Sequence, residues 1–159
     1  MTNEMRYGDS EAKEPLHYTW CGLEDVYLCS GYERIPTHEG DDIVIQDLDG
    51  LHRVIGEYLA RHKKSLSGKE VRFLRKQLDL SQSELAVLMG TTDQAVARWE
   101  KGKTRISGAA ETLVRVIYLG HVSKAIDVQE VLRELRSSDA PMSDKQIFTE
   151  TAEGWKAAA

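Results

Sequence analysis

Between residues 67 and 137 the chain marks the starts and stops of helices at close intervals. Ser67 is followed three residues on by Glu70, and Ser81 by Glu84. In such a pair the serine side chain takes a free backbone N–H of the first turn, and the glutamate reaches back to the serine's own N–H. Asp127 and Glu130 make a related start. Gly90 and Gly102 fall where a left-handed residue closes a helix. These signals predict helices over 68–79, 82–89, 93–101, 108–122 and 128–137. A stretch punctuated this way folds as a bundle of short helices and leaves no room for a long strand.

The flanks read differently. Leu51, Val54, Ile55, Tyr58 and Leu59 recur at helical spacing and predict one more amphipathic helix, with Arg61, His62, Lys63 and Lys64 at its C-terminal end. Upstream, Val26-Tyr27-Leu28-Cys29 and Ile43-Val44-Ile45 are strand-forming runs. Gly22, Gly31, Pro36 and Gly40 punctuate them. The expectation is a disordered segment over 1–15 and a small α+β region over 16–64. A helical domain then covers 65–137, and a polar, flexible tail covers 138–159, with Trp155 as its one residue suited to docking.

Charge is unevenly spread. The net charge of −5 combines −9 over residues 1–50, +6 over 51–136 and −2 over 137–159. A basic middle between acidic flanks suits a polyanionic partner for the middle alone. No apolar run approaches the ~18 residues of a membrane span. The polar, acidic start is unlike a secretory or transit signal, so a cytoplasmic, nucleoid-associated protein is expected. Cys21 and Cys29 are too few for a disulfide framework. With His17 and His38 they could be drawn as a zinc site, but C-x7-C is not a knuckle spacing, so no metal is assigned. Asp41, Asp42, Asp47 and Asp49 read as a solvated acidic loop. There is no nucleophile elbow, phosphate-binding glycine loop or H-E-x-x-H. No enzyme and no cofactor are expected.

The most informative segment runs from Leu80 to Lys103. Two short helices are separated by Gly90-Thr91-Thr92. Ala86 is small enough to let them cross closely. Leu85, Leu88 and Met89 of the first are expected to face Val96 and Trp99 of the second, which is the packing of a helix-turn-helix. Asp93, Gln94, Ala97, Arg98 and Lys101 then point outward. Gln can bridge adenine N6 and N7, and Arg can fork onto guanine O6 and N7. Asp93 accepts from cytosine N4 and repels phosphate. Ala97 allows close approach or meets a thymine methyl. Thr92, Lys101, Lys103 and Arg105 sit where a DNA backbone would pass, supplying affinity without sequence preference.

At these residues the sequence resembles the Cro/CI (XRE) helix-turn-helix of phage repressors and bacterial regulators. Ser81-Gln82, Glu84-Leu85-Ala86, Gly90, Trp99-Glu100 and Gly102-Lys103 all fall at that family's spacing, over about 68–119. The resemblance implies that Gln82 touches phosphate and supports the recognition helix. It implies that Asp93, Gln94 and Arg98 read bases, and that Arg75 and Glu100 form a buried ion pair. The longer pattern, with His17-Tyr18-Thr19, the run from Gly22 to Leu28 and Gly50-Leu51-His52, is similar to the MqsA/YgiT-type antitoxin and regulator group. Zinc-bearing members of that group carry paired C-x-x-C motifs, and this chain has none.

The expected architecture is therefore mainly α: a five-helix Cro/CI-type domain preceded by a small α+β N-terminal region. The expected function is sequence-specific binding of double-stranded operator DNA by a homodimeric repressor. Leu113, Val116, Ile117, Val128, Val131, Leu132 and Leu135 exceed a minimal helix-turn-helix core and offer a dimer surface. The alternative is an antitoxin that neutralises a partner toxin through its N-terminal region and represses its own operon.

Overall fold

The computed structural model describes residues 14–123, 125–137 and 145–158. The disorder expected for 1–15 falls almost wholly outside them. Four strands come first: β1 (Leu16–His17), β2 (Val26–Leu28), β3 (Tyr32–Thr37) and β4 (Gly40–Ile45). Six helices follow: α1 (Leu48–His62), α2 (Gly68–Gln77), α3 (Gln82–Met89), α4 (Asp93–Glu100), α5 (Gly108–Val122) and α6 (Val128–Ser137). Two strands come last, β5 (Gln146–Thr151) and β6 (Gly154–Ala157). The body is thus mainly helical, with two small sheets.

The last two strands correct the flexible tail expected over 138–159. Its residues 138–144 and 159 lie outside the described set, but 146–157 are a β-hairpin. β5 pairs in parallel with β2, Leu28 opposite Phe148, and β6 pairs antiparallel with β5. With β1 on the far side of β2, the order is β1-β2-β5-β6. Parallel neighbours need a crossover, and here the crossover comprises the β3–β4 hairpin and all six helices. The N-terminal region is therefore not self-contained: half of its main sheet comes from beyond residue 145.

Side chains alternate across this sheet as a pleat requires. Val26, Leu28, Gln146 and Phe148 point inward and are buried, while Tyr27 and Ile147 are partly exposed. The inward side meets α1: Phe148 stacks edge-on against Tyr58, with ring centres 5.7 Å apart. Trp155 is also buried, and its indole N–H donates to the Gln46 carbonyl at 3.0 Å. Cys29, expected within an apolar strand, lies just past β2 and is exposed. It still donates its backbone N–H to Phe148. The β3–β4 hairpin is a separate two-stranded sheet and leaves Ile35 and Val44 in the open.

Helix α1 runs through the centre. Asp47 caps its start, three residues earlier than the apolar periodicity begins. Leu51, Ile55 and Leu59 on its inner face have no exposure. Burying each such side chain contributes about 1.5–3 kcal/mol. Where α1 ends, Arg115 of α5 closes it. This buried guanidinium donates to the carbonyls of Leu59 (2.8 Å) and Ala60 (3.2 Å), and to Glu111 at 2.5 Å. Glu111 in turn accepts the N–H of Leu66 at 2.8 Å. Helix end, linker and α5 are thereby tied by one buried arginine. Helix α6 lies against α1 and α5, buries Val131, and leaves Val128 exposed.

Candidate nucleic-acid interface

The two helices at the site are set by local chemistry. The Ser81 hydroxyl accepts the N–H of Glu84 at 3.1 Å, and the Glu84 carboxylate accepts the N–H of Ser81 at 2.7 Å. That starts α3. Gly90, at φ 69°, stops it in the left-handed region that side-chain-bearing residues avoid. Thr92 then starts α4, its hydroxyl accepting the N–H of Ala95 at 3.1 Å. The pair packs on Leu85, Ala86 and Val96, all buried, with Leu80, Met89, Trp99 and Ile117 closing around them. Leu88 does not join this core as expected. It is 58% exposed, and its neighbour Val87 is 80% exposed. The reason is helical phase: the inner arc of α3 runs from Leu85 through Met89 to Ala86, and Leu88 lies beyond Leu85 on the side away from Ala86.

The far end of α4 is held from three sides. Arg75 of α2 forks onto Glu100, with Nε to Oε1 at 2.6 Å and a terminal nitrogen to Oε2 at 3.3 Å. Its other terminal nitrogen donates to the Leu80 carbonyl at 2.9 Å. Gln82 also donates to Glu100, so its amide is turned inward. Gly68 lies so close to α4 that a Cβ there would overlap the Trp99 carbonyl oxygen. Beyond the helix, the N–H groups of Gly102 and Lys103 return to the carbonyls of Trp99 (3.0 Å) and Arg98 (2.9 Å). This curls the 101–105 loop back over the helix end, and buried Ile106 anchors it.

On the outer face of α4, Asp93, Gln94 and Arg98 are exposed, and Ala97 between them is half-buried. Thr92, Lys101, Lys103 and Arg105 flank that face and are exposed too. The structure thus brings together one short acidic–amide–guanidinium face with cations at its C-terminal edge. Planar amide and guanidinium groups on a helix match base edges in a major groove, and cations at its margin match phosphates. Of the side chains drawn above as a hypothetical metal set, His17 stacks on Tyr27 and burial pushes the Cys21 thiol up. No group of three or more metal-ligating side chains occurs among the described residues.

Two supporting residues, Gly68 and Arg115, are not singled out by the sequence reading, and a third, Glu70, is singled out for another role. Gly68 gives no local signal, because its neighbour is thirty residues away. Glu70 was read only as a cap, yet it is buried. Arg115 does carry a signal, as a lone charge inside Leu113-Val114-Arg115-Val116-Ile117. A cation in such a run has to find buried acceptors.

Residues 71–110 match the family model described as helix-turn-helix. The match runs from within α2 through α3 and α4 to the first residues of α5, and it supports a DNA-binding helix-turn-helix in this segment. Searches of curated proteins and of solved structures find no match to the chain. No helix among the described residues is long and apolar enough to cross a membrane.

Proposed function

We propose that the protein is a sequence-specific transcriptional repressor of the cytoplasm and nucleoid, neither an enzyme nor cofactor-dependent, acting as a homodimer on an inverted-repeat operator. The observation that carries this reading is the division of α4. Its underside is fixed by Val96 and by Glu100 in the grip of Arg75, while Asp93, Gln94 and Arg98 are free on the outside. A reading helix has to be rigid where it joins the body and open where it meets base edges. On this reading α2 to α6 form the five-helix domain, over 65–137. Gln82 braces Glu100 with one amide N–H and keeps the other for a phosphate.

Dimerisation follows from the size of the readout. One helix contacts only a few base pairs, too few to select a site in a genome. Two-fold symmetry doubles the contacts and places half-sites about one turn apart. Leu113 and Val128, 38% and 43% exposed, offer apolar surface for it. Light scattering should give a dimer mass; a monomer mass both free and on DNA would remove the claim.

The contact roles separate by titration. Arg98→Ala should lower specific affinity by about 1–3 kcal/mol and relax preference at one base step. Lys103→Ala should weaken all sequences alike and flatten the salt dependence. An unchanged ratio of operator to scrambled-DNA binding in Arg98→Ala would take base reading away from that residue.

Toxin neutralisation is a second reading, favoured by the exposed Ile35 and Val44 on the β3–β4 hairpin. Co-expression with the product of any small reading frame adjoining the gene tests it. A complex lost in Val44→Glu supports it, and no complex removes it.

A further inference from the structure

The main sheet ends in an open strand. In the order β1-β2-β5-β6, β6 has β5 on one side and, among the described residues, no strand on the other. Backbone groups alternate in direction along an antiparallel pair. The N–H of Ala158 donates to the Ile147 carbonyl at 2.8 Å, so residues 154, 156 and 158 direct their backbone groups to β5. Trp155 and Ala157 direct theirs away from the sheet. Such an edge is a template for a further strand, and sheets usually blunt it with proline, a bulge, a lysine or a covering loop. The one such residue in β6 is Lys156, and its ammonium is drawn aside to Glu153 at 2.7 Å.

A groove of about 250 Å3 runs between this edge and α1. Residues 155–157 line it from the strand, and Val54, Glu57, Tyr58 and Arg61 line it from the helix. Val54 and Tyr58 are only partly buried, so apolar surface lies beside the unpaired backbone. Arg61 also reaches Glu134 at 3.4 Å, through side chains 33% and 39% exposed, so that contact holds it loosely. A wall with an acid and a base one helical turn apart suits no partner of single charge. It suits a copy of itself: about a two-fold axis the helices run antiparallel, and each Glu57 meets the partner's Arg61.

We propose that β6 docks a second copy of this chain, edge to edge and antiparallel, with the two α1 helices side by side. The two main sheets become one sheet of eight strands. Lys156 selects the register. Setting Trp155 against the partner's Ala157 would oppose the two Lys156 side chains, and like charges directly opposite are unfavourable. Setting Trp155 against the partner's Trp155 places Lys156 opposite the partner's Gly154. Each Trp155 N–H then donates to the partner's Trp155 carbonyl, and each Ala157 N–H to the partner's Glu153 carbonyl. This inference rests on the homodimer proposed above and seats it at the sheet edge in place of Leu113 and Val128.

The test is the mass of the full chain without DNA, by light scattering over a micromolar dilution series, with circular dichroism to check folding. Ala157→Pro removes an N–H that β5 does not use, which an edge strand tolerates. It should weaken self-association about tenfold or more. Glu57→Arg should do the same by setting like charges across the axis, and the double change Glu57→Arg with Arg61→Glu should restore the dimer. Leu113→Glu should leave the mass unchanged. If Ala157→Pro fails to fold, Glu57→Arg and its rescue carry the test. A dimer as tight as wild type in either folded variant overturns the edge interface and leaves the homodimer standing. So does a dimer that dissociates in Leu113→Glu. A monomeric wild type overturns both.

Discussion

The helix-turn-helix and the main sheet are built on opposite principles. In α3 and α4 each boundary is decided by residues three apart: Ser81 with Glu84, Thr92 with Ala95. In the sheet the decisive pairing sets Leu28 beside Phe148. The interior of the first is small, only Leu85, Ala86 and Val96 in full burial. The second shares a large core that runs from Tyr18 through α1 and α5 to Trp155. The DNA-binding unit is thus easy to specify and thin, and the body is hard to specify and thick. The thin unit holds its shape because Trp99 and Ile117 touch both cores.

Substitutions can break this contrast or sharpen it. The largest effects belong to buried groups whose partners are left behind. Phe148→Ala should cost about 3–5 kcal/mol in denaturant unfolding, and near-native stability would show that the C-terminal hairpin is an ornament. Arg75→Ala should cost a similar 3–5 kcal/mol, since Glu100 would stay buried without its partner. An unchanged Tm would mean that α4 does not depend on that pair. Leu85→Ala should follow at about 2–5 kcal/mol. Smallest of all, Leu88→Ser should change stability by less than ~0.5 kcal/mol. A large loss there would return Leu88 to the core and undo the helical phase described for α3.

Legibility in the sequence followed the same division. The capping pairs, Gly90 and Gly102 place α3 and α4 to within a residue, because the chemistry that ends a short helix is local. The faces of α4 follow from helical phase once Val96 and Trp99 are placed inside. Ala97 is nonetheless less open than that rule suggests, because a methyl group on α4 is partly covered by its neighbours. The sheet was hidden. Gln146 to Thr151 carries a short Ile147-Phe148-Thr149 run among polar residues, and nothing near it announces a partner more than a hundred residues upstream. Leu88 misled in the other direction, as an apolar residue whose exposure composition cannot reveal. Glu70 looks only like a cap in sequence, and only packing shows that it is buried.

The parallel pairing of β2 with β5 also bears on how the protein is made. During synthesis, Val26–Leu28 leave the ribosome with β1 as their only sheet neighbour. Phe148 emerges after a further 120 residues. At about 5–20 residues per second this is a wait of roughly 6–24 s. Meanwhile α3 and α4 need nothing from downstream to form their caps. A nascent chain can therefore form α3 and α4 before it owns a finished body, and an aborted one keeps an open strand edge that a chaperone or a protease can engage.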